Sequence, residues 1–207
     1  MTNGLFITIE GNEGCGKSTQ IKRLEEALKA QGQDVVVLRE PGSTGLGTKL
    51  RGILKDPGNQ ISSEAELFLF QASRAQLVTE VIKPALAAGK LVVADRFYDS
   101  TWVYQGWARG INLLAIEFTN RLATPGLEVS KTFLLKTPLD VCLARVKARG
   151  ALDRFELEGV KLLEKIDAGY EELLKNFPKR VEAIDGNRSA DAVHQELMAK
   201  VLKLIQN

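Results

Sequence analysis

Cysteine is scarce in this sequence, and its spacing does not suggest a metal site. Cys15 and Cys142 are the only cysteines in the 207 residues, and they lie far apart, unlike the closely spaced pairs that bind zinc. Cys15 lies inside a glycine-rich segment, where a disulfide would hinder the backbone. We therefore expect two free thiols, which are typical of a protein in a reducing cytoplasm.

Long apolar runs and a strong charge imbalance are also missing. The sequence has no run of about 18 apolar residues that could span a membrane, and it does not start with the pattern of a signal peptide. Its 28 basic and 26 acidic residues give a formal net charge of +2. This small excess gives no reason to expect nucleic acid or an anionic membrane as a partner. We expect a cytoplasmic protein that binds neither.

No internal repeat, low-complexity segment or flexible linker divides the sequence, so we expect one domain over residues 1–207. Short apolar runs alternate with segments of helical periodicity. Strands separated by helices predict an α/β fold in three layers, with a parallel sheet between helices on both faces. Residues 63–88 form the longest helical segment, and Pro84 predicts a kink near its end. The expected strands are LFITIE, DVVVLRE, KLVVAD, KTFLLKT and RVEAID.

A phosphate-binding loop follows the first expected strand. Residues 11–18, GNEGCGKS, match G-x-x-x-x-G-K-[ST] between a strand and a helix. The glycines allow backbone N–H groups to point at phosphate oxygens, and the helix start adds partial positive charge. Lys17 is expected to reach the terminal phosphates, and the Ser18 hydroxyl to bind Mg²⁺. The expected ATP-binding residues of the loop are Gly11, Asn12, Glu13, Gly14, Cys15, Gly16, Lys17, Ser18 and Thr19.

Loops of this kind occur in GTPase switches, ATP-driven motors and small-molecule kinases. A GTPase is expected to carry N-K-x-D and D-x-x-G, and neither pattern occurs here. A motor usually has a larger chain or a basic track. The sequence therefore favours a compact kinase whose acceptor binds beside the γ-phosphate of ATP.

Asp95 and Arg96 end the third expected strand, at the sheet edge where open α/β folds bind ligands. We expect Asp95 to hold water around Mg²⁺ and Arg96 to bridge donor and acceptor phosphates. A local ion pair is the alternative, but the phosphate loop favours the functional interpretation.

Five segments together resemble the thymidylate kinases of the bacterial type: EGNEGCGKST, REPGSTGLG, FLFQASRAQL, DRFYDSTWVYQG and RGALDR. They occur in that family's order and spacing, over about residues 6–178. The resemblance implies a P-loop nucleoside monophosphate kinase fold with a short lid at about residues 148–158. It also implies a homodimer that uses ATP and Mg²⁺ to convert dTMP to dTDP.

The resemblance assigns an acceptor site. It implies that Glu13 lies near the 3′-hydroxyl, that Phe70 stacks on thymine, and that Arg74 bonds a thymine carbonyl. Tyr104 would crowd a 2′-hydroxyl. Arg51 resembles an arginine at the acceptor's phosphate, although a solvated helix charge is almost as compatible with its position. The implied dTMP-binding residues are Glu13, Arg51, Phe70, Arg74, Arg96, Ser100, Thr101, Tyr104 and Gln105.

The resemblance also suggests where the catalytic arginines lie. One subclass of the family carries an arginine in the loop directly after the acidic residue, where this chain has Gly14. The other subclass supplies it from a mobile lid, and RVKARGALDR fits that pattern. Arg149 and Arg154 are then expected to serve catalysis together with Lys17 and Arg96. Arg145 is expected to pack on the adenine of ATP.

The sequence departs from the family at Lys136, where an Asp or Asn usually follows the fourth strand. Any contact with water or metal that a carboxylate at this position would make is therefore in doubt for this chain. Two other functions remain open. One is a small kinase for UMP or a deoxynucleoside, because one methyl group discriminates by only about 1–3 kcal/mol. The other is a nucleotide-dependent regulatory protein.

Overall fold

The computed structural model describes residues 4–150 and 152–206 of the chain. Its strands are β1 (Phe6–Glu10), β2 (Val35–Arg39), β3 (Leu91–Asp95), β4 (Lys131–Lys136) and β5 (Val181–Asp185). They pair in parallel in the order β2-β3-β1-β4-β5. All five expected strands are confirmed, and their ends agree with the apolar runs to within one residue.

Helices connect the strands, as the alternating pattern predicted. They are α1 (Lys17–Ala30), α2 (Gly45–Lys55), α3 (Ser63–Leu77), α4 (Lys83–Ala87), α5 (Tyr98–Thr101), α6 (Leu113–Ala123), α7 (Leu139–Arg149), α8 (Arg154–Leu157), α9 (Val160–Asn176) and α10 (Ala190–Gln206). Two π-helical segments, Val78–Ile82 and Trp102–Ala108, continue α3 and α5. None of the described helices has the length and hydropathy of a membrane span.

The core lies on both faces of the sheet, which confirms the three-layer arrangement. Because side chains alternate along a strand, Ile7 and Ile9 pack in one cluster with Leu24 of α1 and Leu197 of α10. Phe6 belongs to a second cluster, which contains residues of α3 and its continuation. The whole of β1 is buried because it lies at the centre of the sheet.

The long helical segment is interrupted close to the expected position. Pro84 lies in the first turn of α4, directly after the π-helical segment Val78–Ile82. Proline has no N–H to donate, and its ring collides with the carbonyl four residues earlier. The wider π turn relieves both problems.

The expected lid corresponds to the end of α7 and to α8, which follows Asp153. Ala151, in the middle of that segment, lies outside the described residues, as do residues 1–3 and 207. Gly150 has a φ of 100°, so the chain leaves α7 in a conformation that favours glycine.

Candidate active site

A cleft of about 470 Å³ opens at the carboxyl edge of the sheet, beside the phosphate loop. Its volume is that of an ordinary small-molecule site. Most of the residues expected from the sequence line it: Glu13, Gly14, Cys15, Gly16, Lys17, Ser18, Thr19, Arg51, Phe70, Arg74, Asp95, Arg96, Ser100, Thr101, Tyr104, Gln105, Arg145 and Arg149. The lining does not include Gly11, Asn12 or Arg154.

The backbone of the phosphate loop holds the side chain of its lysine. Lys17 Nζ donates to the carbonyls of Gly11 and Asn12, each at 2.9 Å. Gly11, Gly14 and Gly16 have φ angles of 137°, 80° and 105°, which other residues rarely adopt. Since both carbonyls are neutral, the ammonium group can exchange them for phosphate oxygens.

Gly14 explains why this loop carries no arginine. A Cβ at this position would lie 2.5 Å from the carbonyl oxygen of Cys142 in α7. Together with the positive φ, this contact excludes a side chain unless α7 moves. An arginine at position 14 would therefore not fit this arrangement of the loop and α7.

Glu13 and Arg96 form an ion pair across the cleft, with Arg96 Nη2 3.2 Å from Glu13 Oε1. Burial opposes the ionisation of Glu13, but the charges of Arg96, Lys17 and Lys55 together hold its pKa well below the usual range. Glu13 is therefore a carboxylate that only accepts hydrogen bonds. The guanidinium of Arg96 also lies over the Tyr104 ring, 5.2 Å from its centroid.

Glu10 is a buried carboxylate at the end of β1 that the sequence interpretation missed. It accepts hydrogen bonds from the Phe97 N–H at 2.8 Å, from Ser100 Oγ at 2.6 Å and from Tyr170 Oη at 2.8 Å. Burial raises its pKa, and the charge of Arg96 opposes that shift. These contacts tie the segment after β3 to β1. An acidic residue ending the apolar run LFITIE was the signal.

Arg74 is only 1% exposed, and below the cleft it connects α3 to α5, to α6 and to Glu40, which follows β2. Its Nε lies 2.6 Å from Glu40 Oε1. Nη1 donates to Gln71 and Asn120, and Nη2 donates to Thr101 at 2.7 Å. A guanidinium carries two N–H groups on Nη2, so the second can serve a ligand. Burial raises the pKa of Glu40 to about 7 against the attraction of Arg74.

Aromatic rings form one wall of the cleft. The centroids of Phe70 and Tyr104 each lie 6.1 Å from that of Phe155. Phe155 comes from the lid helix α8 and was not expected as a site residue. Apart from its place directly after the segment RGALDR, nothing in the sequence marked it.

The two lid arginines occupy different environments. Arg149 lines the cleft, is 53% exposed and pairs with Glu156. Arg154 is 10% exposed; it pairs with Glu66 of α3 and donates through Nε to the Leu54 carbonyl at 2.8 Å. In this conformation only Arg149 faces the cleft.

The cleft also contains basic residues that sequence reasoning did not single out. Arg39 and Lys55 line it beside the expected Arg51. Burial, followed by the charge of Arg39, lowers the pKa of Arg51. Arg51 Nη1 donates to the Pro41 carbonyl at 3.0 Å. The lining of the whole cleft contains more cationic than anionic side chains, which suits an anionic ligand.

Ser18 and Asp95 are suited to a bound Mg²⁺. Both line the cleft, and Asp95 Oδ1 is buried without a hydrogen-bond partner in the described part of the chain. Within residues 4–150 and 152–206, no group of three or more His, Cys, Asp or Glu could hold a metal ion. Mg²⁺ usually takes one or two oxygen ligands from the protein and the rest from phosphates and water, so the Ser18 hydroxyl and the Asp95 carboxylate are donors of the kind it uses.

The cleft thus joins a triphosphate-binding loop to a second pocket lined by aromatic and basic groups. On a parallel sheet with a short helical lid, this is the architecture of the nucleoside monophosphate kinases.

Comparison with known proteins identifies one family within this class. The family model described as thymidylate kinase matches residues 9–197. The thymidylate kinase of Caldanaerobacter subterraneus subsp. tengcongensis is 45% identical over 96% of this chain and 95% of its own length. That of Exiguobacterium sp. is 40% identical over 99% and 97%. A crystal structure of thymidylate kinase from Ehrlichia chaffeensis, 30% identical, matches 97% of this chain and 99% of its own with a TM-score of 0.78. The chain belongs to the thymidylate kinase family.

Proposed function

We propose that this chain transfers the γ-phosphoryl group of ATP to the phosphate of dTMP, forming ADP and dTDP. The main support for this proposal is that a single cleft joins the phosphate loop to an aromatic pocket above Arg74. Family membership supports the same reaction. We further propose that residues 1–207 act as one kinase domain with a lid at about residues 148–158.

In this proposal ATP binds at the loop end of the cleft. The loop N–H groups and the start of α1 bind its phosphates, and Lys17 leaves the loop carbonyls for the terminal phosphates. Arg145 Nη1 donates to the Gly14 carbonyl at 3.1 Å, and its side chain packs against adenine. Ser18 and Asp95 would hold Mg²⁺, which neutralises charge on the phosphates when bound.

The acceptor occupies the other end of the cleft. Thymine stacks on Phe70, and the second Nη2 N–H of Arg74 donates to a thymine carbonyl. Ser100, Thr101 and Gln105 complete the wall, and Tyr104 limits space at the 2′-position. Arg51 and Arg96 bind the acceptor phosphate, and Glu13 accepts a hydrogen bond from the 3′-hydroxyl.

Phosphoryl transfer needs mainly positioning and charge stabilisation. A phosphate oxygen of dTMP attacks the γ-phosphorus as the bond to the ADP oxygen breaks. Lys17, Arg96 and the lid arginines Arg149 and Arg154 stabilise the charge on the transferring group. Closure of the lid excludes water, which would otherwise compete as acceptor.

The test is ADP release with purified protein, ATP and each natural nucleoside monophosphate in turn. We expect dTMP to give the highest kcat/KM and UMP a value at least about tenfold lower. Lys17→Ala should abolish turnover without unfolding, because the side chain contacts loop carbonyls rather than the core. Comparable kcat/KM for UMP or CMP would contradict the proposed acceptor. ATP binding without turnover would indicate a regulatory protein instead.

We also propose that the chain acts as a homodimer in the cytoplasm. An exposed apolar face on α6, formed by Leu114, Phe118 and Leu122, supports the dimer. Cys15 and Cys142 are both free and buried, which suits a reducing compartment.

A further inference from the structure

The outer side of the phosphate loop contacts helix α9. Asn12 Nδ2 donates to Asp167 Oδ1 at 2.8 Å. The side chain of Asn12 is buried, and Asn12 does not line the cleft. Its carbonyl, however, accepts from Lys17 Nζ at 2.9 Å. One residue thus joins α9 on one side of the loop to the phosphate-binding lysine on the other.

A second charged pair lies beside this contact. Lys136, at the end of β4, pairs with Glu171, one helical turn after Asp167, at 2.5 Å. Burial and then the charge of Glu171 raise the pKa of Asp167, whereas Lys136 and the hydrogen bond from Asn12 lower it. Lys136 therefore offsets the repulsion between two carboxylates one turn apart. A carboxylate at position 136 would add to that repulsion.

We propose that Asp167 is a positioning residue for the phosphate loop, acting through Asn12, and that Lys136 allows Asp167 and Glu171 to remain close together. This gives a role to Lys136, which stands where the resemblance leads one to expect Asp or Asn. The inference rests on the proposed ATP site but not on the identity of the acceptor.

Loss of Asp167 removes the partner that fixes the Asn12 side chain. Asn12 then loses a constraint on its carbonyl, one of the two loop carbonyls that hold Lys17. We expect weaker binding of the phosphates of the donor. Binding of dTMP should change much less, because the side chains proposed to hold its base, Phe70 and Arg74, lie on α3 and not on the loop.

The test is the Kd of ADP, measured by calorimetry for the full chain. Asp167→Ala should raise it about tenfold, equivalent to about 1.4 kcal/mol. Asp167→Asn keeps an acceptor oxygen for Asn12 Nδ2 and should stay within about threefold of the parent. Glu172→Gln is the matched control, since it removes one charge from α9 and its residue pairs with Lys175 instead. An Asp167→Ala variant with the ADP Kd of the control would overturn the proposal.

A charge exchange tests the part played by Lys136. Lys136→Glu should raise the ADP Kd, and Lys136→Glu combined with Glu171→Lys should bring it back toward the parent, because the pair is restored with reversed sign. If the double variant binds ADP no better than Lys136→Glu does, the proposed role of Lys136 is wrong. These variants keep the proposal testable if Asp167→Ala does not fold. Kd values for dTMP, measured in parallel, test the proposed acceptor separately.

Discussion

Arg96 illustrates how single residues are held for function in this fold. It has a φ of 71° directly after β3, a conformation costing a non-glycine residue about 1–2 kcal/mol. Contacts to Glu13, Ser100 and Tyr170 hold its guanidinium. Burial disfavours its charge, but Tyr104, Tyr170 and the two nearby carboxylates raise its pKa further above an already high value. Arg96 is therefore always cationic.

Glu13 should make the stability of the protein depend on acid pH. Its pKa in the folded chain lies below the ordinary value of 4.5. As the pH falls below about 4.5, Glu13 therefore binds a proton in the unfolded chain before it does so in the folded chain. The folded state loses stability as a result. We expect Glu13→Gln to lose less of its unfolding free energy than the parent between about pH 5 and pH 3. Urea unfolding of both proteins across this range measures the difference.

A parallel loss of stability in Glu13→Gln and the parent would contradict the prediction. Glu25→Gln is a suitable control, because Glu25 pairs with Lys29 on the exposed surface of α1.

Arg74 has a structural role in addition to its expected contact with thymine. The contact with a thymine carbonyl that the resemblance implies predicts that Arg74→Ala weakens dTMP binding. Its removal would also leave the buried Glu40 carboxyl, the Thr101 hydroxyl and Gln71 Oε1 without the contacts that Arg74 supplies. Breaking a buried ion pair costs about 3–5 kcal/mol, so we expect a loss of that size in urea unfolding. Arg23→Ala, which breaks an exposed pair with Asp191, should cost much less.

At the scale of elements, a cluster of charged side chains holds the lid helix α8 against α3. Glu66 of α3 accepts from Arg154 of the lid, from Arg109 and from Gln105 Nε2 at 2.8 Å. Because Arg109 also contacts Glu66, that carboxylate stays paired if Arg154 leaves it. The lid can therefore release Arg154 without leaving a buried charge alone.

Arg149→Ala should slow phosphoryl transfer without affecting substrate binding. Arg149 lines the cleft, and its described ion-pair partner is Glu156 of the lid itself. Contacts formed only in the closed, reacting complex lower kcat when lost and leave ground-state affinity unchanged. We expect at least about a hundredfold loss in single-turnover rate, with the dTMP Kd within a few-fold of the parent.

Arg154→Ala should also slow phosphoryl transfer. In addition it should lower the stability of the folded chain, because it removes the contact with Glu66. Lys147→Ala is a matched control on the same segment. If neither Arg149→Ala nor Arg154→Ala slows the chemical step, the lid does not supply the catalytic arginine.

Elements encoded by contiguous patterns could be predicted from the sequence, and long-range contacts could not. The strands, the phosphate loop and the Asp95–Arg96 edge each depend on a few adjacent residues. Glu66 and Arg154 are 88 positions apart, and Glu10 and Tyr170 are 160 apart. No local pattern brings such partners together, so their roles emerged only from the folded chain.

At the scale of the whole molecule, α6 has two distinct faces. Leu114, Phe118 and Leu122 follow one another at helical spacing and are 69 to 75% exposed. Phe68 on the neighbouring α3 is also exposed. On the opposite face, Asn120 accepts from Arg74 below the acceptor pocket. A partner covering the apolar face would therefore steady the helix that supports Arg74.

A two-fold axis across α6 would let this face pair with its own copy, as symmetric dimers require. Phe118→Glu should then shift the protein from dimer to monomer, because it would bury two charges in an apolar interface. Its fold should persist, since the side chain is exposed in the single chain. We expect the monomer to bind dTMP more weakly than the parent, with ADP affinity unchanged. Sedimentation velocity and calorimetry measure both effects, and Val160→Glu, at an exposed apolar position on α9, is the control. A Phe118→Glu protein that sediments as the parent does would show that α6 is not the dimer interface.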